Sequence, residues 1–318
     1  MVIERARNGG KSGDRIPTAL AVTESWLNSY ALPAHRARVF TLYMVVSLGS
    51  LALAQQFIAW GSPGGHVLFA VAALIVCAAV MPVSATRLTQ PVLDSVASLG
   101  LRKLYDKAPV ASTAALFSGL AQGAFWGLSV VWADRIGMDH AGIAAFMSVS
   151  IIGGALLQWP IGWLTDRLDR GHVISVVALA AATCAVLMFF VAAERPLLAM
   201  VGGFVYGGFA FALYPLAGAR MMDRLSPGEI FSGNGSLLFL HGIGAACGPV
   251  VVGGAMQLLG NWALPAWYML VEITLAYTAW RLAGQAPADI GQQTSFVPMV
   301  RTAPMAMGLA ESEPGESQ

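Results

Sequence analysis

Long apolar runs, each about the length of one membrane crossing, recur along the chain. A hydrocarbon core of about 30 Å needs about 20 apolar helical residues to cross it, and eight runs meet that requirement. They cover residues 39–60, 67–86, 110–132, 143–164, 173–193, 197–219, 230–259 and 262–282. Apolar and polar residues do not alternate with period two in these runs, which disfavours a membrane β-barrel. The pattern predicts an all-α polytopic membrane protein with eight transmembrane helices.

The composition supports a protein embedded in lipid. The 318 residues are 57% hydrophobic and only 11% charged, with a mean hydropathy of +0.66, whereas soluble domains carry about 25% charged residues. The net charge of +1 disfavours a nucleic-acid-binding protein, which would be strongly basic. Cys77, Cys184 and Cys247 each fall inside an apolar run, and we expect them to be small buried side chains rather than disulfides or metal ligands.

The lysines and arginines are distributed unevenly between the segments that flank the runs. Of the 18, all but Arg135 and Arg195 lie in alternate flanks, at 1–38, 87–109, 165–172, 220–229 and 281–318. Basic residues concentrate on the cytoplasmic side of membrane proteins. We therefore predict that both termini face the cytoplasm and that the chain lies in the plasma membrane, the inner membrane of a bacterium.

One polar segment between two runs carries a motif. Residues 162–171 read GWLTDRLDRG, which resembles the G-x-L-x-D-R-x-G-R-[KR] loop of the major facilitator superfamily of transporters. Asp169 stands where the family usually has glycine, and Gly171 stands where it usually has a basic residue. The segments ESWL at 24–27, FALYPLAGA at 211–219, HGIG at 241–244 and GP at 248–249 add a similarity to the YcaD-like branch of that superfamily, over roughly residues 22–284.

The resemblance implies a helical bundle of two six-span halves, of which this chain holds a part. The eight runs would correspond to the fifth to twelfth spans, so that the first three to four are missing. Residues 1–38 would be a polar segment with a remnant of the fourth span, 39–86 two spans of the N-terminal half, and 87–109 the cytoplasmic interdomain loop. Residues 110–284 would be the complete six-span C-terminal half, and 285–318 a disordered cytoplasmic tail. We favour a truncated chain, and a genuine eight-span protein stays open.

Polar and aromatic side chains inside the runs are the candidates for binding a solute. The resemblance places the runs at 110–132 and 197–219 among the helices that line the central cavity. Amide, hydroxyl and aromatic groups could hold a polar or aromatic solute by hydrogen bonding and stacking, or could join helices to one another. The substrate-cavity candidates are Gln122, Trp126, Ser129, Gln158, Tyr206, Tyr214, Asn234 and His241.

The motif loop is expected to take part in gating. Its candidate residues are Gly162, Asp166, Arg167 and Arg170. Asp166 follows the end of a helix, where a negative charge is unfavourable for that helix. It would be better placed to accept hydrogen bonds from the start of another helix near residues 33–38, where Arg36 or Arg38 could pair with it. The alternative is a charged loop that only sets topology.

Glu272 is the acidic residue that lies well inside an apolar run. A charged group in the middle of a membrane is costly and is a functional candidate for that reason. Glu272 is therefore the candidate for coupling transport to protons. The alternative is a protonated carboxyl group hydrogen-bonded to a neighbour such as Tyr268, four residues earlier. His241, the histidine deep in a run, could likewise titrate during transport or pack between helices.

Several glycines are spaced four residues apart, at 119, 123 and 127, at 203 and 207, and at 244 and 248. This spacing predicts helix pairs whose backbones pack closely. Gly242 and Gly244 do not indicate a nucleotide-binding loop, because no strand precedes them.

The sequence thus indicates a secondary transporter that moves a small solute by alternating access. Its expected partners are the solute, the lipid bilayer and, as a further expectation, protons; no cofactor, metal or nucleic acid is expected. Two alternatives remain open: a truncated membrane remnant that does not transport, and an integral membrane enzyme. The sequence offers no cluster of His, Asp or Glu typical of such an enzyme.

Overall fold

The computed structural model describes residues 36–57, 66–85, 99–191 and 196–285, and helices are the regular elements of this part of the chain. They are α1 Arg36–Gln55, α2 Val67–Ala85, α3 Leu101–Lys107, α4 Pro109–Arg135, α5 His140–Thr165, α6 Arg170–Val191, α7 Pro196–Ala210, α8 Leu213–Met222, α9 Pro227–Leu259 and α10 Ala263–Gln285. The prediction of an all-α fold is confirmed for these residues. Most of the predicted N-terminal segment and the predicted tail lie outside them.

Five helical stretches in the described ranges are long and apolar enough to cross a membrane. They are Pro109–Arg135, His140–Thr165, Arg170–Met188, Leu197–Met222 and Gly228–Leu259. The helices α1 and α2 contribute the shorter apolar stretches Val45–Gln55 and Val67–Pro82. The chain is therefore a multi-pass membrane protein, while the count of eight spans remains a prediction.

The helix ends follow local sequence signals. Proline occupies the first turn of α4 and of α9, where its missing N–H costs no hydrogen bond. Asp139 caps α5, because its side chain accepts a hydrogen bond of 2.8 Å from the Gly142 amide. Gly137 and Gly260 adopt positive φ angles of 86° and 84° in the turns that follow α4 and α9. These signals produce short turns between antiparallel neighbours.

The run predicted at 197–219 as one span is divided by a turn between α7 and α8. Pro215 explains the division, because it has no N–H to donate to the carbonyl group of Phe211. The hydrogen-bonding pattern tightens there, and the Ala212 amide donates to Phe209 at 3.2 Å. The two helices nevertheless form one apolar stretch, Leu197–Met222, that is long enough to cross a membrane. All of α8 is buried.

Close backbone packing joins α4 to α9. A Cβ atom added to Gly119 or Gly123 would collide with the backbone of α9, and one added to Gly244 or Gly248 would collide with the backbone of α4. A side chain on Gly207 of α7 would likewise meet the Ser150 backbone of α5. The prediction from the four-residue glycine spacing is confirmed at these positions.

The three cysteines are free, as predicted, but the expectation that they are buried is wrong for two of them. Cys77 and Cys247 are exposed, and Cys184 is half-buried. Cys77 lies on α2, which is exposed on nearly all sides, and Cys247 lies on the outer side of α9. Small apolar side chains on a membrane protein can face outward because lipid is also apolar.

A polar contact joins α1 to α5. The hydroxyl group of Ser148 donates a hydrogen bond of 2.9 Å to the carbonyl oxygen of Ala52. The side-chain amide of Gln56 donates to Ser148 Oγ at 2.6 Å and to the Ala144 carbonyl oxygen at 3.4 Å. The contact lies near the end of α1 and the beginning of α5, so it fixes one end of α1 against the main bundle.

Candidate functional site

Most of the predicted cavity residues are enclosed between helices. Trp126 is half-buried, and the other seven candidates are buried. Three of them, together with Ser118, form a polar stripe along one face of α4: Ser118, Gln122 and Ser129 lie four and seven residues apart. The stripe faces α7, α8, α9 and α10, and side chains from those helices divide it into three groups.

The first group surrounds His241 of α9. Ser118 Oγ lies 3.2 Å from His241 Nδ1, and the Ala115 carbonyl oxygen lies 3.3 Å from the same nitrogen. The Ser118 hydroxyl already donates to Ala115 at 3.0 Å, so its oxygen is left to accept from the ring. We therefore assign the hydrogen to Nδ1, which leaves Nε2 as the basic nitrogen. The ring of Tyr214 packs against the imidazole with a centroid separation of 4.4 Å.

The second group is aromatic and lies near the middle of α4. Trp126 stacks on Phe211, at the turn between α7 and α8, with ring centroids 5.8 Å apart and planes 12° apart. Phe125 meets both rings edge-on, at 5.5 Å and 5.1 Å. Gln122 donates a long hydrogen bond of 3.4 Å to the carbonyl oxygen of Ala210. We call Phe125, Trp126 and Phe211 the aromatic group; its indole is half-buried, whereas the other cavity candidates are buried.

The third group contains the buried acid. Ser129 Oγ and Tyr268 Oη share a hydrogen bond of 3.0 Å, and the Tyr206 ring stacks on the Tyr268 ring at 4.6 Å. Glu272 lies one turn beyond Tyr268 on α10, with 0% of its surface exposed. Among the described residues, no group hydrogen-bonds to either carboxyl oxygen or to the Tyr206 hydroxyl.

The hydrogen bond expected between Glu272 and Tyr268 is therefore not formed, and Tyr268 is the wrong partner. The physical reason is that the Tyr268 hydroxyl points across to α4, where Ser129 satisfies it. Neighbours one turn apart on a helix share a face, but a phenolic hydroxyl lies far from its own backbone and can bond to another helix instead. The sequence did not reveal this partner, which is 139 residues away.

The two remaining cavity candidates are also buried. Gln158 lies on α5, and Asn234 lies on α9 two helical turns before His241. Within the described part of the chain, neither polar atom of the Asn234 amide has a hydrogen-bond partner. The structure thus brings six of the eight candidates into the three groups along α4.

The motif loop between α5 and α6 is tied to the end of α8. Arg170 is fully buried; its Nη1 donates to Asp223 Oδ1 at 2.6 Å and to the Ala219 carbonyl oxygen at 3.4 Å. Its Nη2 donates to Asp166 at 3.2 Å. Gly162 is buried in the last turn of α5. Arg167 lies apart from this network and covers the ring of Trp163 at 3.8 Å.

A second ion pair crosses the same interface, with the acid now in the motif loop and the arginine on α8. Arg220, at the end of α8, donates to Asp169 Oδ2 at 3.0 Å. The other oxygen of Asp169 accepts a hydrogen bond of 3.1 Å from the His172 amide at the start of α6. Asp169 is one of the two residues that depart from the family motif. Its ion pair with Arg220 gives a structural reason for an acid at this position. Sequence reasoning missed Arg220 and Asp223, although a charged pair at the end of an apolar run is a detectable signal.

The other departure from the motif also has a local reason. A Cβ atom added to Gly171 would lie 2.7 Å from the Cβ of Ala283, so α6 approaches α10 too closely for a basic side chain there. Arg36 and Arg38, the expected partners of Asp166, belong to α1, but their side chains are not among those that the structure describes. The bonds that the structure gives for the loop connect α5, α6 and α8.

The linker helix α3 is held at this same end of the bundle. Lys103 and Lys107 both pair with Glu229, in the first turn of α9, at 3.0 Å and 2.6 Å. Ser226 donates a further hydrogen bond of 2.8 Å to that carboxylate. Leu104 is completely buried beneath the helix. One carboxylate with three donors thus fixes α3 against α9.

Comparisons with known proteins agree with this architecture. A family model described as the Major Facilitator Superfamily matches residues 111–304. The chain is also similar to MFS-type transporters named YcaD from Salmonella arizonae, Salmonella paratyphi B and Salmonella newport. Each is 27% identical over 274 residues, which is 85% of this chain and 70% of the relative.

Proposed function

Because the chain belongs to the Major Facilitator Superfamily, we propose that it is a secondary transporter that moves a small solute across the bilayer by alternating access. Family membership identifies a transporter rather than an enzyme. The proposed C-terminal half is 110–284, preceded by two spans at 39–86 and the linker 87–109. The proposed location is the inner membrane of a bacterium, with both termini in the cytoplasm, because the basic residues concentrate on one side.

The observation that supports a solute site is the half-buried Trp126 within the polar stripe of α4, whose other members are buried. Its indole face stacks on Phe211, and the Gln122 amide lies one turn away. Such an arrangement can hold a polar or aromatic solute by stacking and hydrogen bonding. The other candidates are enclosed between helices, so solute would reach Tyr214 and His241 only when these helices move.

The paired ions of the motif loop support a rigid C-terminal half. Two ion pairs join the α5–α6 loop to the end of α8: Arg170–Asp223 and Arg220–Asp169. In alternating access, two bundles rock as bodies about a site between them. We propose that Gly162, Asp166 and Arg170 serve gating by keeping one such body intact at its charged end.

Protons are the proposed coupling ion, with Glu272 as the acid that carries them. Its complete burial supports this proposal, because a carboxyl group inside an apolar bundle changes its charge when water reaches it.

Accessibility from both sides of the membrane tests the transporter directly and needs no identified solute. Cys77, Cys184 and Cys247 are first replaced by alanine, and Trp126→Cys is then introduced as the reporter. Right-side-out and inverted vesicles are treated with a membrane-impermeant maleimide. Alternating access predicts labelling from both sides.

The matched control is Ile273→Cys, on the exposed outer side of α10. This position should face lipid and should be labelled from neither side. Labelling of position 126 from one side only, or from neither, would contradict the transporter and would favour the truncated remnant that does not transport.

A further inference from the structure

We propose that Glu272, Tyr206 and the bonded pair Ser129–Tyr268 form a proton-binding site separate from the aromatic group, in which Tyr206 donates a hydrogen bond to the acid when the acid ionises. This inference rests on the proposed transport function and names the residues and the chemistry of its coupling site. We call these four residues the acid site. They come from α4, α7 and α10.

The burial of Glu272 requires that its charge be neutralised. Its carboxyl group is fully enclosed, and no described residue donates a hydrogen bond to either oxygen. Among the described residues, no lysine, arginine or histidine hydrogen-bonds to it. An uncompensated carboxylate in such surroundings is so unfavourable that the group takes up a proton instead. Glu272 therefore carries a proton in this conformation.

Tyr206 is the second group of the site that lacks a partner. Its hydroxyl is buried and has no hydrogen bond within the described part. Its ring stacks on Tyr268, which lies one turn before Glu272 on α10. Buried polar groups without partners are uncommon in folded proteins and call for an explanation. A phenolic hydroxyl can donate to the carboxylate that Glu272 forms when it ionises.

Each change of state moves one proton between Glu272 and water. When water reaches the site, a proton leaves a Glu272 oxygen for that water, and the side chain changes from neutral to singly negative. The Tyr206 hydroxyl keeps its own proton and turns to donate it as a hydrogen bond to the new carboxylate. Uptake on the other side reverses both events: Glu272 becomes neutral again, and the Tyr206 hydroxyl no longer donates to it.

Tyr268 is a positioning residue in this scheme. Its ring holds the Tyr206 ring at 4.6 Å, and its hydroxyl is fixed to Ser129 of α4 at 3.0 Å. The Tyr206 hydroxyl therefore has little freedom to leave the neighbourhood of Glu272 while this stack persists.

The acid site and the aromatic group are joined through α4. Ser129 follows Trp126 by three residues, or about 4.5 Å along the helix axis. A solute that stacks on Trp126 and displaces α4 would also displace Ser129, and with it Tyr268 and the stack that holds Tyr206. Solute binding and proton release can thus be coupled without contact between solute and acid.

Infrared spectroscopy of the reconstituted full chain tests the site without a solute. A protonated carboxylic acid shows a carbonyl-stretch band that a carboxylate lacks. We expect this band at neutral pH in the unmodified protein, and its loss in Glu272→Gln. Tyr206→Phe should keep the band at neutral pH and move its loss to higher pH, because the carboxylate then lacks the hydroxyl that would donate to it. Ser129→Ala, which frees Tyr268, should move that loss in the same direction by less.

Tyr277→Phe is the matched control, because Tyr277 lies on the same helix but is exposed and bonds to Arg281. It should leave the band unchanged. Persistence of the band in Glu272→Gln, its absence from the unmodified protein, or equal effects of Tyr206→Phe and Tyr277→Phe would overturn the acid site. Two-sided labelling at position 126 is read separately, so failure of the transporter and failure of this site give different results.

Discussion

Asp169 and Arg220 form an ion pair of 3.0 Å between the loop that precedes α6 and the end of α8, and the arginine side chain is 2% exposed. Next to it, Arg170 pairs with Asp223 at 2.6 Å across the same interface. The segment at the start of α6 thus supplies one anion and one cation, and the end of α8 supplies a residue of opposite charge for each. The two ion pairs therefore hold these two segments in a fixed position relative to each other.

Removal of one member of this brace should destabilise the protein strongly. Asp169→Ala removes a counter-ion from the buried guanidinium of Arg220, and breaking a buried ion pair costs about 3–5 kcal/mol. The double variant Asp169→Ala/Arg220→Met should recover much of the loss, because the buried positive charge is then removed as well. Thermal unfolding in detergent measures both effects. The matched control is Arg167→Gln, an exposed charge in the same loop, and an equal loss there would refute the brace.

Two glycines of α9 should respond oppositely to the same substitution. Gly244→Ala places a methyl group against the α4 backbone, within 2.8 Å of the Leu120 nitrogen, and overpacking of this kind costs about 1–3 kcal/mol. Gly242→Ala meets open space and should stabilise the helix by roughly 0.5–1 kcal/mol. Thermal unfolding of the two variants checks the sign of each change. The helix packing would be wrong if both were equally tolerated.

The attachment of α3 should depend on Glu229. Glu229→Gln removes the charge that pairs with Lys103 and Lys107, so α3 should detach more often and expose its backbone to protease. Limited trypsin digestion should then cleave after these lysines several-fold faster than in the unmodified protein. Asp106→Asn, on the same exposed helix, is the control and should not change the rate. Equal rates in both variants would show that Glu229 does not hold α3.

The position of α1 should depend on Ser148. Ser148→Ala removes the hydrogen bond to Ala52 and the acceptor of the Gln56 amide. Hydrogen exchange of the α1 amides, measured by mass spectrometry, should become faster in this variant. Ser150→Ala provides the comparison, because that hydroxyl bonds within its own helix, to the Phe146 carbonyl oxygen. If α1 exchanges equally in both variants, the contact does not anchor it.

The helices of the described part were predictable because their signals are local. Apolar runs of membrane-spanning length, proline in the first turn of α4 and glycines four residues apart each depend on neighbouring residues only. The division between α7 and α8 also had a local signal, Pro215, which the hydrophobic pattern alone did not use.

The partners within the site were less predictable because they depend on distant residues. Glu272 was identified as the buried acid, but its expected partner Tyr268 bonds to Ser129 on another helix. Asp169 was visible as a departure from the family motif, yet the reason for it, Arg220, lies 51 residues away. One sequence shows that such a residue is unusual and does not show what it contacts.

The central claim is that two arrangements of the helices exchange and that the protonation of Glu272 shifts their balance. Spin labels replacing Leu53 of α1 and Leu198 of α7, in a background without the native cysteines, allow the distance between the two helices to be measured by pulsed electron paramagnetic resonance. We expect two distance populations whose ratio changes between acidic and neutral pH, and which no longer respond to pH in Glu272→Gln. A single population at both pH values would contradict it.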